Sequence, residues 1–206
     1  MPTPPRLLLV TDRHATGGRD LLAIVTAALD AGLPAVQLRE KDLSGRSLTA
    51  LAERLRTVTA RTGALLIVND RVDVALAVGA DGVHLGSGSL PVAIARRLVG
   101  PGPLIGVSTH APEEVVAAAA AGADLAVFGP VWATPSKAQY GPPQGTARLA
   151  SAAHAAAIAV LAIGGVTRAE VPAARAAGAA GVAVIRAILA ADDPGAATRA
   201  LLAAVG

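Results

Sequence analysis

Ala121-Gly122-Ala123-Asp124-Leu125-Ala126-Val127 joins the end of an alanine-rich helical segment, a glycine stop and the start of a buried apolar strand. The same wording returns as Ala31-Gly32-Leu33-Pro34-Ala35-Val36, Val78-Gly79-Ala80-Asp81-Gly82-Val83 and Ala177-Gly178-Ala179-Ala180-Gly181-Val182. Glycine is the residue that closes a helix in a left-handed turn, and a short β-branched run after it reads as a strand. Successive glycines are 47, 43 and 56 residues apart, room for two βα units each. Between them lie four more short apolar runs, Leu7–Thr11, Leu65–Val68, Leu104–Val107 and Val160–Ile163. Eight strands therefore alternate with helical segments near 19–31, 46–61, 71–78, 91–99, 112–121, 146–157, 168–177 and 186–204. That alternation predicts a parallel sheet, and eight repeats predict that it closes, giving one α/β domain over 1–206 with the (β/α)8 TIM-barrel architecture. A doubly wound open sheet is the alternative.

Composition narrows the functional classes. Apolar residues make up 53% of the 206 residues and charged residues 16%, enough for a sizeable core. The sequence pI of about 10.2 overstates the basicity, because the formal charge is only +3 and the arginines are scattered without a basic block. Neither nucleic acid nor membrane is expected as a partner. The absence of cysteine removes thiolate chemistry and disulfides and fits a reducing compartment, so a cytoplasmic location is expected. Leu7–Val10 is too short for a signal or membrane segment. Sixteen arginines accompany only two lysines, Lys41 and Lys137, and the single asparagine is Asn69, beside Asp70. Phe128, Trp132 and Tyr140, the only residues of their types, all fall in the long Pro/Gly-rich connection or just before it. That connection, Gly129 to Gly145, is the length of a functional lid.

Active sites of such barrels lie at the C-terminal ends of the strands, and the polar residues of this chain collect there. Strand one runs into Thr11-Asp12-Arg13, strand two into Gln37-Leu38-Arg39-Glu40-Lys41-Asp42, and strand three into Asn69-Asp70. Strand four ends in His84, strand five in Ser108-Thr109-His110. Strand six leads to Thr134-Pro135-Ser136-Lys137, strand seven to Gly164-Gly165 and strand eight to Ile185-Arg186. Strand alternation turns Gln37, Arg39 and Lys41 one way, and Val36, Leu38 and Glu40 the other. Cations at a barrel mouth call for an anion, unless they are a solvated strand end paired with Glu40 and Asp42. Asp70 is either a cap on the following helix or an oxygen ligand for Mg2+ on a diphosphate. Gly164-Gly165 and Ile185-Arg186 suit a monophosphate, because glycine admits close backbone approach and a helix start offers free N–H groups. Plain turn glycines are the alternative. His14, His84, His110 and His154 lack metal-ligand spacing, and no hydrolase triad or dinucleotide fingerprint is present.

Together these stretches resemble the thiamine-phosphate synthase and thiazole tautomerase superfamily, closer to the synthase branch. The resemblance is carried by Val10-Thr11-Asp12-Arg13, Gln37-Leu38-Arg39-Glu40-Lys41, Val68-Asn69-Asp70-Arg71, Asp81-Gly82-Val83-His84-Leu85-Gly86, Gly106-Val107-Ser108-Thr109-His110, Phe128-Gly129-Pro130, Thr134-x-Ser136-Lys137, Ile163-Gly164-Gly165 and Gly181–Ile185. It implies a transferase that joins a pyrimidine diphosphate to a thiazole phosphate with Mg2+. Catalysis would fall to Arg39, Lys41, Ser108 and Lys137. Gln37, Arg39, Lys41, Asn69, Ser108 and Lys137 would contact the pyrimidine diphosphate, Asp70 the metal, and Thr134, Ser136, Gly165, Ile185 and Arg186 the thiazole phosphate. The resemblance leaves the oligomeric state open, a homo-oligomer included, and whether Trp132 or Tyr140 covers the substrate.

The chain departs from the family pattern twice. Gly86-Ser87-Gly88-Ser89 replaces a Gly-Gln-x-Asp whose Asp is the second metal ligand, so Ser89 stands at that position. Arg186 stands where Ser is common. The serine wording is shared with the tautomerase branch, but Pro130 after Phe128-Gly129 follows the synthases. An isomerase acting on the thiazole phosphate and a phosphate-binding barrel without turnover are the alternatives.

Overall fold

The computed structural model describes residues 2–134, 142–155 and 157–206. Its strands are β1 (Leu7–Val10), β2 (Ala35–Leu38), β3 (Leu65–Asn69), β4 (Gly82–Leu85), β5 (Leu104–Thr109), β6 (Leu125–Phe128), β7 (Ala159–Ala162) and β8 (Gly181–Val184). Each pairs in parallel with the next, and β8 returns to β1, so the sheet closes in sequence order. The open-sheet alternative is excluded.

The helices around it are α1 (Leu21–Asp30), α2 (Gly45–Thr62), α3 (Val72–Ala77), α4 (Val92–Val99), α5 (Pro112–Ala120), α6 (Gly145–Ala155), α7 (Val171–Ala176), α8 (Arg186–Leu189) and α9 (Pro194–Val205). The last segment differs from expectation. One helix over 186–204 is interrupted because Asp193 accepts the Ala196 N–H and Pro194 opens a new first turn.

The recurring wording has a structural cause. Gly32, Gly79, Gly122 and Gly178 have φ of 94, 60, 92 and 87°, the left-handed turn that lets a helix stop and the chain drop into the sheet. In the two copies that carry aspartate, the carboxylate fastens the bottom of the barrel. Asp81 accepts the Leu66 N–H at 2.8 Å and Arg56 Nη1 at 2.6 Å; Asp124 accepts the Ile105 N–H at 2.7 Å and Arg96 Nη2 at 2.5 Å.

Strand alternation produces two apolar layers. Leu8, Val10, Ala35, Ile67, Leu104, Leu125, Val127, Leu161 and Ala183 fill the barrel interior. Their strand neighbours, such as Leu9, Val36, Val68, Ile105, Phe128 and Val184, pack outward against the helices. This sets which strand-end residues can reach the mouth.

Candidate active site

Counting upward by twos from the interior residues identifies the floor of the site. Gln37 follows Ala35, Asn69 follows Ile67, His84 follows Gly82, and Ser108 continues the column of Leu104 and Gly106. Hydrogen bonds join these residues. Gln37 Nε2 donates to Asn69 Oδ1 at 3.0 Å, and His84 Nε2 shares a hydrogen bond with Ser108 Oγ at 2.8 Å. Register places Asn69 beside His84 and His84 beside Gly106, so the polar groups form an arc over β2–β5. On the other side, Val127, Ile163 and Ile185 belong to or pack on the interior apolar cluster. The mouth is half polar and half apolar.

His84 is fully buried and its pKa falls to about 4, first because burial penalises the imidazolium and then because Arg39 is nearby. The imidazole is neutral at pH 7. A histidine whose folded pKa lies below its unfolded value stabilises the fold fully above about pH 6.5. That stability, on the order of 3 kcal/mol, is lost as pH falls toward 4. We therefore expect the wild-type Tm to fall between pH 6.5 and 4 more steeply than that of His84→Gln, measured by thermal melts across that range. Parallel curves would remove His84 as the cause.

Above the arc, β2 ends at Leu38 and leaves Arg39 half-buried, its backbone N–H bonded to the Thr11 hydroxyl at 2.8 Å. Lys41 is exposed. The alternative, in which Glu40 and Asp42 neutralise these cations, gives way to another pairing. Glu40 is buried against the backbone N–H and Nη1 of Arg13, and Asp42 takes both Nη atoms of Arg13. The Arg13 guanidinium, and then His14, hold the Asp42 carboxyl well below the usual carboxylate range. Among the described residues neither Arg39 nor Lys41 has an ion-pair partner.

Asp70 directly follows β3 with φ of 66°, an unusual backbone setting for a residue with a Cβ. Its carboxylate is exposed and does not cap α3, whose first cap position is Arg71 without a side-chain hydrogen bond. Ser89 turns its hydroxyl inward on its own loop, accepting the Gly86 N–H at 2.8 Å. Among the described residues no three His, Cys, Asp or Glu groups cluster closely enough to hold a metal.

The β6–β8 side carries the other predicted residues. Gly129 is cis-linked to Pro130, and Val131 and Trp132 donate backbone hydrogen bonds to Ile163 and Gly164 carbonyls at 2.8 and 3.0 Å. Gly164 and Gly165 have φ of 93 and 67°. A Cβ on Gly164 would meet Pro130 Cβ at 2.5 Å, and one on Gly165 would meet Ala133 O at 2.5 Å. Both glycines are thus required by the segment lying on them, independently of any phosphate. Gly165→Val would disturb Trp132 and Ala133 as well as a ligand. Ile185 is the cap of the short α8, and Arg186 is exposed at its start. Thr134 is half-buried. Ser136, Lys137 and Tyr140 lie outside the described residues.

Sequence reasoning missed three groups that shape this site: Arg13 as the partner of both carboxylates, Thr11 as the anchor of Arg39, and Gly106 as the bed of His84. Thr11-Asp12-Arg13 stood out as a polar strand end. Its tie to residues 39–42 depends on β1 lying beside β2, which short-range patterns do not encode.

A closed barrel with an arc of polar side chains at its C-terminal mouth, and with Arg39 and Lys41 free of ion pairs among the described residues, has the arrangement of a (β/α)8 enzyme. The family is set by comparison. Residues 7–188 match the thiamine monophosphate synthase family model, and the chain belongs to that family, whose members are transferases. It is 57% identical over 197 residues to a provisionally named thiamine-phosphate synthase of Geobacter sulfurreducens, covering 96% of this chain and 92% of that one. It is 49% identical to the thiamine-phosphate synthase of Roseiflexus castenholzii, covering 94% and 85%. The solved thiamine phosphate pyrophosphorylase of Pyrococcus furiosus superposes with a TM-score of 0.89 at 34% identity, covering 97% and 95%.

Proposed function

We propose that this chain condenses 4-amino-2-methyl-5-(diphosphooxymethyl)pyrimidine with 4-methyl-5-(2-phosphoethyl)thiazole, or its carboxylated form, to thiamine phosphate and diphosphate. The observation that carries this reading is Arg39, without an ion pair among the described residues, above the Gln37–Asn69 and His84–Ser108 hydrogen bonds and opposite an apolar wall.

The methylene C–O bond breaks with its electron pair leaving on the diphosphate, and the thiazole nitrogen supplies the pair for the new C–N bond. Arg39 and Lys41 accept the charge growing on the departing oxygen, with Lys137 added on the family motif. Gln37, Asn69 and Ser108 orient the polar edge of the pyrimidine, while Val127, Ile163 and Ile185 exclude water that would otherwise capture the cation. Thr134, Ser136, Gly165, Ile185 and Arg186 hold the thiazole phosphate. The exposed Asp70 carboxylate is an oxygen donor of the kind a hard cation takes singly when water and phosphate oxygens complete its shell. Asp70 would hold Mg2+, which when bound adds positive charge beside the diphosphate. A cytoplasmic location agrees with the lack of cysteine, and no helix among the described residues is long and apolar enough to cross a membrane.

The direct test incubates the protein with both phosphorylated precursors and Mg2+ and looks for thiamine phosphate by mass spectrometry; no product at any Mg2+ concentration sinks the reading.

Ser89 adds a second test. An aspartate there can keep the Gly86 N–H as donor while offering its other oxygen, and a carboxylate binds Mg2+ far better than a hydroxyl. Ser89→Asp is expected to tighten Mg2+ binding by the free protein about tenfold in calorimetric titration and to lower the Mg2+ needed for half-maximal turnover. Turnover indifferent to Mg2+ in both proteins would point instead to thiazole tautomerisation.

A further inference from the structure

The run Arg39-Glu40-Lys41-Asp42 alternates cations with carboxylates, an arrangement in which each charge has a ready neutralising neighbour. A diphosphate would then have to displace two carboxylates before it met a free cation. The structure takes both carboxylates away. Glu40 points to the outside of the barrel with its side chain 1% exposed, and accepts the Arg13 backbone N–H at 3.1 and 3.2 Å and Nη1 at 3.2 Å. Asp42 accepts Nη1 at 2.6 Å and Nη2 at 2.5 Å from the same guanidinium, and His14 Nε2 lies 3.1 Å away. Arg13 starts a 3-10 turn (Arg13–Ala15) that Asp12 caps through the His14 N–H at 3.0 Å, so the fork is presented from β1 in a fixed direction. A planar guanidinium holds two carboxylates at once with its donors in a fixed fork, whereas an ammonium is a compact point charge on a flexible stem without that bidentate geometry.

We infer that Arg13 is a positioning residue for anion binding: it sequesters Glu40 and Asp42 on the outer side of the β2 loop, leaving Arg39 and Lys41 uncompensated toward the mouth. Arg13 touches no reacting atom in this scheme. It sets the sign of the surface that the diphosphate meets, and the inference rests on the diphosphate reading given above.

A merely structural role would also weaken binding when Arg13 is changed, so the test must separate the two. In Arg13→Gln, Glu40 keeps its backbone donor and its seat, whereas Asp42 loses both Nη atoms and becomes available to the adjacent Lys41. Binding of inorganic diphosphate, measured by calorimetry at low ionic strength, is expected to weaken about tenfold in Arg13→Gln, and KM for the pyrimidine diphosphate to rise similarly. kcat and KM for the thiazole phosphate should stay within about threefold. Asp42→Asn in the wild-type background should change diphosphate binding by less than about threefold, because its carboxylate is already occupied. Added to Arg13→Gln, the same substitution should restore binding to within about threefold of wild type. Arg13→Lys, which keeps one cation and guards against a folding failure of the Gln variant, should give an intermediate loss that Asp42→Asn also relieves. Equal weakening in single and double variants means that Arg13 only orders the loop, and the inference falls. Wild-type protein that makes no thiamine phosphate would remove the functional reading, while restored diphosphate binding in the double variant would still uphold the role of Arg13.

Discussion

Arg39→Met is expected to lower kcat/KM for the pyrimidine diphosphate by about 10³-fold while leaving the fold intact. Methionine keeps most of the aliphatic stem, so packing beside β2 survives and the loss isolates the guanidinium. The magnitude is at the upper end for one preorganised donor, and two features justify it. Arg39 is half-buried on the inward column, with its backbone fixed to Thr11 at 2.8 Å, so little reorganisation is needed when charge develops. It also has no competing carboxylate among the described residues. Arg39→Lys should recover only part of the loss, because a bidentate fork becomes a single point charge. His84 supplies an internal control: with the cation gone, one cause of its lowered pKa disappears, and NMR titration should place the imidazole higher in Arg39→Met than in wild type. Near-normal kcat/KM in Arg39→Met would return this residue to a solvated strand end.

Most of the barrel was legible because its information is local. Alternating helical and strand-length patterns, with glycine where each helix must stop, repeat often enough to count eight units without any long-range contact. The strand ends were legible for the same reason: polar residues collect where the strand-length runs stop, and parity along β2 follows from counting, which turns Gln37 inward and Leu38 outward. What could not be read was pairing at a distance. Glu40 lies between Arg39 and Lys41, and Asp42 follows Lys41, yet both go to Arg13, nearly thirty residues earlier, because β1 and β2 lie side by side. Gly164 and Gly165 read as room for a phosphate; that their lack of a Cβ also makes room for Pro130, Trp132 and Ala133, which reach them through the β6–β7 connection, could not be read. The break between α8 and α9 was written plainly in Asp193-Pro194, but a long alanine-rich run obscured it.

The second large effect is expected at a residue with no side chain. Gly106 sits on the inward column of β5 between His84 and Leu125, its two partners in register. A Cβ there would lie 2.7 Å from His84 Nδ1 and 3.4 Å from Leu125 Cδ1. The strand is paired on both sides and cannot move, so the imidazole must swing, and its 2.8 Å bond to Ser108 breaks. Gly106→Ala should therefore lower kcat by about 10²-fold, the cost typical of a misplaced positioning group, although alanine is the smallest substitution available. Far-ultraviolet circular dichroism should be unchanged, since the barrel ladder is untouched. If the loss runs through His84 and Ser108, it cannot be suffered twice. Ser108→Ala and Gly106→Ala combined should then be little worse than Ser108→Ala alone, giving a strongly non-additive cycle. Fully additive losses would mean that Gly106 acts by general distortion of the barrel, and unchanged turnover in Gly106→Ala would mean that the His84–Ser108 pair has no part in orienting the substrate.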